Sequence, residues 1–239
     1  MSSQTVYWSK NAFASSGNQS SIGAAREAEE SSTETLNTDT SSIVAIDAFR
    51  SSTRGGVTVR FQRCYFAFDC SDFTSSSGTI SNLKFNFKGT ASTTGNISNN
   101  RLVKTTAFGS NTNFSNYSPA DWFESLDLNT SYSSNFTYAD GTASQAVTLN
   151  STAISQIANN GFIQIAMLIN VDFTGLGPIV DQSVNGQMNV GGNTSGNVFL
   201  TFDFAEAGYG NDVNAVPSTS ISKVNEISTG NISKINAAS

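Results

Sequence analysis

Asp121, Glu124 and Asp127 lie within one short segment beside Trp122. With no histidine in the chain, carboxylates are its natural acid–base groups, and two acids beside an aromatic ring are one way to build a glycan-cleaving site. A simpler reading accounts for them better. Acids near a helix start stabilise its dipole, and Trp122 and Phe123 would anchor that helix to neighbouring sheets. Asp127-Leu128-Asn129-Thr130-Ser131 begins like a calcium loop, with oxygen ligands at alternate positions. Tyr132 then occupies the place that needs Gly, and Tyr138 the place that needs Glu, so an EF-hand is excluded.

Cys64 and Cys70 share parity along one strand-like run, RFQRCYFAFDC. Six strand residues span roughly 20 Å, while a disulfide needs Cα atoms within about 7 Å. The pair is therefore expected as two buried free thiols. Asp69 is expected to cap the following turn with its side chain. Gly175-Leu176-Gly177-Pro178, Gly191-Gly192 and Gly208-Tyr209-Gly210 read as loops, since none opens a helix with a Lys that would cradle phosphate. The aromatics Tyr117, Trp122, Tyr132 and Tyr138 are candidate glycan contacts, because exposed rings stack on sugars.

Composition narrows the classes further. The chain has 239 residues, a formal charge of −6, no His, two Cys and three Pro. Ser, Thr and Asn together exceed a third of it. The absence of His removes Ser-His-Asp and Cys-His catalysis and any imidazole metal site. No Lys or Arg occurs between Lys104 and Lys223, a stretch holding nine Asp and Glu, so a phosphate backbone would be repelled and nucleic acid is not an expected partner. No apolar run reaches transmembrane length, and the first residues lack the basic-then-apolar pattern of a signal peptide. No cofactor and no membrane insertion are expected.

The elements that must position these residues are mostly strands. SIVAIDAF, GVTVRFQ and CYFAFDC are apolar and β-rich. In TISNLKFNFKG, Leu83, Phe85 and Phe87 alternate with Lys84, Asn86 and Lys88, the period-two signature of a sheet with one wet face. RLVKTTAF, FTYAD, AVTLN, GFIQIAMLINV, GQMNVG and NVFLTFDF continue the pattern, and QTVYWSK near the start is strand-like. Short helices are expected over 118–124, with Pro119 in its first turn, and over 151–159, ending at Asn-Asn-Gly. SIGAAREAEESS adds a helical turn or two. Many short strands with few helices imply an all-β, jelly-roll-like β-sandwich. The expected organisation is an N-terminal arm (1–41), the sandwich (42–204), a linker (205–220) and a C-terminal segment (221–239). That last segment repeats I-S-K-[VI]-N at 221–225 and 232–236. Ile221, Lys223, Val224, Ile232, Lys234 and Ile235 are its candidate docking residues.

FAFDCSDF, TISNLKFNFKG, LVKTTAF, the Ser-Pro-Ala-Asp-Trp segment and VTLNSTAISQIANNGFIQIAM, in that order over roughly 57–204, resemble a jelly-roll module of tailed-phage virion proteins. More distantly they are similar to carbohydrate-associated domains. The terminal repeats resemble those in proteins of phages of cyanobacteria and other marine bacteria, although Glu226 and Ala237 stand where Gly is usual. The resemblance implies a non-enzymatic structural protein located in the virion, as head decoration or tail-fibre component. It would form a homo-oligomer, with a trimer favoured, and contact other virion proteins. The alternative is a glycan-binding module facing the host surface.

Overall fold

A computed structural model of the chain describes residues 1–27, 43–54, 56–89, 97–109, 123–138, 144–174, 183–189, 196–207, 223–224 and 227–228. Strand β1 (Ser2–Tyr7) enters a smaller sheet and β2 (Lys10–Ser15) a larger one, followed by helix α1 (Ile22–Glu27). The antiparallel pair β3 (Ile43–Thr53) and β4 (Gly56–Asp69) belongs to the larger sheet, and β5 (Gly78–Lys88) crosses back to the smaller one. Next come β6 (Ile97–Thr105), β7 (Leu126–Ser131) and β8 (Phe136–Tyr138) in the larger sheet, then β9 (Ser144–Thr148) in the smaller. Helix α2 (Ser151–Asn160) leads to β10 (Phe162–Leu168), α3 (Asn170–Thr174) and β11 (Ser183–Asn189). The last sandwich strand is β12 (Phe199–Glu206), and β13 (Lys223–Val224) with β14 (Ile227–Ser228) makes a separate two-stranded ladder.

The smaller sheet has the order β1-β12-β5-β9. The larger runs β11-β3-β4-β10-β6-β7, with β2 on β4 and β8 on β6. Every ladder is antiparallel and the chain crosses repeatedly between sheets, so the fold is an all-β sandwich of jelly-roll-like character. Alternation decides which residues fill it. On β5, Leu83, Phe85 and Phe87 are buried and Lys84 is exposed. On β4, Cys64, Phe66 and Phe68 enter the inter-sheet core with Phe85, Ile165, Leu200 and Phe202. Tyr65 and Ala67, on the opposite face of β4, join a second core with Ala12, Ala14, Val103, Phe108, Ala166 and Leu168. The larger sheet is therefore covered on both faces.

Helix α2 forms where the sequence places it, but its cap is Asn150, whose side chain accepts from the N–H groups of Thr152 and Ala153. It ends at Gly161, whose φ of 70° is the left-handed conformation that glycine adopts without steric cost. The register between β5 and β12 shifts at Asn82, itself at φ 54°, and its side-chain amide donates to Asp203 Oδ2 (2.6 Å).

Residues 1–15 depart from the expected arm. β1 pairs along its whole length with β12, β2 pairs with β4, and Trp8 between them is 1% exposed. The reason is ordinary burial: Trp8, Ala12 and Ala14 fill both cores. The first turn of the helix expected over 118–124 lies outside the described residues, and Phe123–Ser125 is a turn leading into β7. β12 continues to Glu206, two residues past the expected end of the sandwich.

Candidate functional site

Among the described residues, the acidic segment does not converge on a reactive centre. Asp127 is occupied locally: one carboxylate oxygen accepts from the N–H groups of Asn129 and Thr130, and the other from the Thr130 hydroxyl (2.7 Å). Glu124 is exposed, and Asp121 lies outside the described residues. Among the described residues, no group of three or more His, Cys, Asp or Glu could hold a metal, and no helix is long and apolar enough to cross a membrane.

Two of the four aromatic candidates are placed where they cannot stack on a sugar. Tyr132 and Tyr138 are both 0% exposed. Tyr138 packs on Phe87 with ring centroids 5.1 Å apart. Burial, and then the charge of Asp127, pushes the Tyr132 phenol well above its ordinary range. The physical reason is that both rings are needed for the inter-sheet core. Tyr117 and Trp122 lie outside the described residues. Of the docking candidates, Lys223 pairs with Ser228 and Val224 with Ile227 in a short antiparallel ladder. Ile221, Ile232, Lys234 and Ile235 lie outside the described residues.

Neither Cys64 nor Cys70 is in a disulfide, and both are buried. Burial raises Cys64 far above the ordinary thiol range, and burial followed by the Asp69 charge does the same for Cys70. At mildly alkaline pH neither has a useful thiolate fraction. Iodoacetamide is therefore expected to leave the native protein unmodified and to alkylate both cysteines after denaturation, as read by intact mass. Native alkylation would show that β4 opens readily. Asp69 accepts from the Ser71 N–H (3.0 Å), which is the turn-capping role its position implies.

A buried arginine cluster escaped the sequence reading. Arg63, 0% exposed, projects from the same face of β4 as Tyr65 and Ala67. Its Nε donates to Asp172 Oδ2 (2.7 Å) and its Nη2 to Asp172 Oδ1 (2.9 Å), a two-pronged pair with α3. Nη2 also donates to the Arg26 carbonyl (3.0 Å), at the end of α1. Arg26 in turn donates from Nε to the Asp172 carbonyl (2.7 Å). The Phe123 ring lies under the Arg63 guanidinium, 5.2 Å from its centroid. Arg63 thus ties α1, α3 and the turn before β7 onto the large sheet. With both carboxylate oxygens engaged, the cluster holds structure together and leaves no group poised for chemistry. The available signal was a charged residue immediately before the apolar run Cys64–Phe68 and in parity with Tyr65 and Ala67.

In the smaller sheet, by contrast, no strand among the described residues pairs with the outer side of β9. Leu149 N–H donates to the Leu83 carbonyl (2.9 Å), so the odd-numbered residues of β9 bond to β5. By the pleat, the N–H and C=O groups of Ala146 and Thr148 point away from β5. At Asn150 the same edge is closed by its N–H to the Tyr132 carbonyl (2.8 Å) and its side chain to the Ser131 carbonyl (2.7 Å). Beyond that contact the two sheets separate around a groove of about 320 Å³. Ser134, Asn135 and Phe136 form one wall and Ala146 to Asn150 the other, with Val147 buried and Phe136 half-buried. It is at the small end of the ~300–1,000 Å³ range of ligand clefts. It offers main-chain donors and acceptors, hydroxyls, amides and one aromatic ring, and no charge. This is chemistry for binding an extended chain. Compared with known proteins, the sequence matches no family model and no curated protein.

Proposed function

We propose that the chain is a non-enzymatic structural protein of a virion surface, as head decoration or tail-fibre component, assembling through strand addition. The observation that carries this reading is the β9 edge, which no strand among the described residues covers, beside its groove. An exposed strand edge is a template for another chain, and main-chain bonds supply affinity when a strand is added to it. The remaining features fit. Asp172, Asp127 and both thiols are engaged in holding the fold. The hydroxyl- and amide-rich composition and the resemblance of residues 57–204 to phage jelly-roll modules point the same way. The glycan-binding alternative loses its support at Tyr132 and Tyr138, which face the core.

The test is location. Particles purified by density gradient are probed with an antibody against the chain and by mass spectrometry. The expected result is labelling at regular positions on the particle, with the chain present in a fixed ratio to the major shell protein. Recovery only in the particle-free fraction would overturn the proposal.

A further inference from the structure

We infer that copies of the chain join their smaller sheets edge to edge, β9 of one against β1 of the next, in head-to-tail order. The inference rests on the assembly reading above and names its partner as a second copy. β1 and β9 are the two end strands of that sheet. Ala146 and Thr148 on β9 are exposed, and so are Ser3 and Thr5 on β1. The pleat that aims Ala146 and Thr148 away from β5 carries across the sheet. Leu83 bonds toward β9, so Lys84 and Asn86 bond toward β12, and Leu200 and Phe202 bond toward β1. The main-chain groups of Ser3, Thr5 and Tyr7 are left pointing outward.

Direction, edge chemistry and charge select this occupant. Three antiparallel steps separate β1 from β9, so the two run in opposite senses. A copy placed in line therefore meets β9 with an antiparallel β1, as in the other ladders of the sheet. The lengths match, six residues against five. Neither strand carries a charged side chain, a proline or a register shift, the devices that keep edges from pairing. β7, an end strand of the larger sheet, has both Asp127 and a shifted register. Val6 on the inner face of β1 and Phe136 beside β9 are only partly covered by their own core, and the joint covers both. Pairing the outward groups sets Thr148 opposite Ser3, Ala146 opposite Thr5 and Ser144 opposite Tyr7. In that register Lys84, which faces Thr148, lies level with Asp203 of the second copy, which faces Ser3. A twofold joint of β9 on β9 would instead turn Lys84 and Lys88 toward the same lysines, and would leave both β1 edges bare. At three strand spacings, about 14 Å, the charges choose the orientation while main-chain bonds supply the strength.

The test uses the full chain in two variants, Thr148→Cys and Ser3→Cys, oxidised in air separately and as a mixture. Opposed residues of a hydrogen-bonded antiparallel pair have Cα atoms about 5.5 Å apart, within disulfide range. The native thiols are buried and do not compete. The expected result is a covalent dimer, one of each variant by intact mass, formed in the mixture and in neither sample alone. Light scattering of the unmodified chain should show a mass rising above the 25.2 kDa monomer with concentration. Ala146→Pro and Thr5→Pro each delete one outward donor, and each should weaken that association at least about tenfold with a thermal midpoint little changed. A dimer formed by Thr148→Cys alone would make the joint twofold and overturn the inference. So would a mixture that forms no crosslink, or association that neither proline weakens. Should the joint fail these tests while the chain is still recovered on particles, the assembly reading stands and another surface holds it there. Absence from particles would remove that reading by itself.

Discussion

Replacing Asp172 with alanine is expected to lower the thermal midpoint by about 6–20 °C. Arg63 is 0% exposed, so the change strands its guanidinium in a dry site without the carboxylate that balances its charge. Breaking a buried pair from one side typically costs about 3–5 kcal/mol. In a chain of this size each kcal/mol moves the midpoint by about 2–4 °C. The double change Arg63→Met with Asp172→Leu should recover most of the loss, because two apolar side chains remove both the charge and its need for a partner. Circular dichroism melts of the three variants check the point. A drop of only a degree or two for Asp172→Ala would mean that water reaches Arg63 and that the ion pair anchors little.

Phe85→Ala is expected to destabilise the sandwich by about 3–5 kcal/mol, through lost transfer energy and the cavity left behind. The ring is 0% exposed and sits at the centre of an aromatic group, with centroids 5.5 Å from Phe66, 6.1 Å from Phe68 and 5.9 Å from Phe87. It therefore bridges β4 of one sheet and β5 of the other. Urea unfolding is the appropriate measurement. The midpoint should fall with little change in slope, since the surface exposed on unfolding is nearly the same. Phe73, half-buried against Phe202 and Phe204 with centroids 4.9 and 5.1 Å away, provides a control whose truncation should cost less. Equal losses at the two positions would show that the core relaxes around Phe85.

The parts of the fold that could be read from the sequence are those where alternation is strict. Leu83, Phe85 and Phe87 announce β5 and its buried face, and Ser151 to Asn160 announce α2, because in both cases one periodicity dominates. What escaped reading had its local signal cancelled. β2, KNAFAS, presents small alanines to the second core and has Phe13 as its single large apolar residue, too few to mark a strand. β7, LDLNTS, carries the Asp127 turn within it and resembles a polar loop. Ile80 and Leu83 are both buried although three apart, because Asn82 inserts an extra residue into the ladder. The site was less legible than the fold. Tyr132 and Tyr138 stand among polar residues in sequence, and only tertiary packing shows that they line the core. Arg63 finds Asp172 more than a hundred positions away, and an open strand edge exists only once its neighbours are known.

The pairing of β1 with β12 sets Ser2 opposite Phe204 and Tyr7 opposite Phe199. That places a constraint on how the protein is made. During synthesis β1 leaves the ribosome with no partner and waits for β12, roughly 200 residues behind it, a delay on the order of tens of seconds at ordinary elongation rates. β5 is in the same position, since β12 and β9 both follow it. The smaller sheet therefore cannot close until β12, second in space, arrives last in time. The nascent chain spends that interval with unpaired apolar strands, a folding order that long-range β topologies make slow. Slowed translation, which lengthens this interval, should trap more chains at this stage even where the finished sandwich is stable.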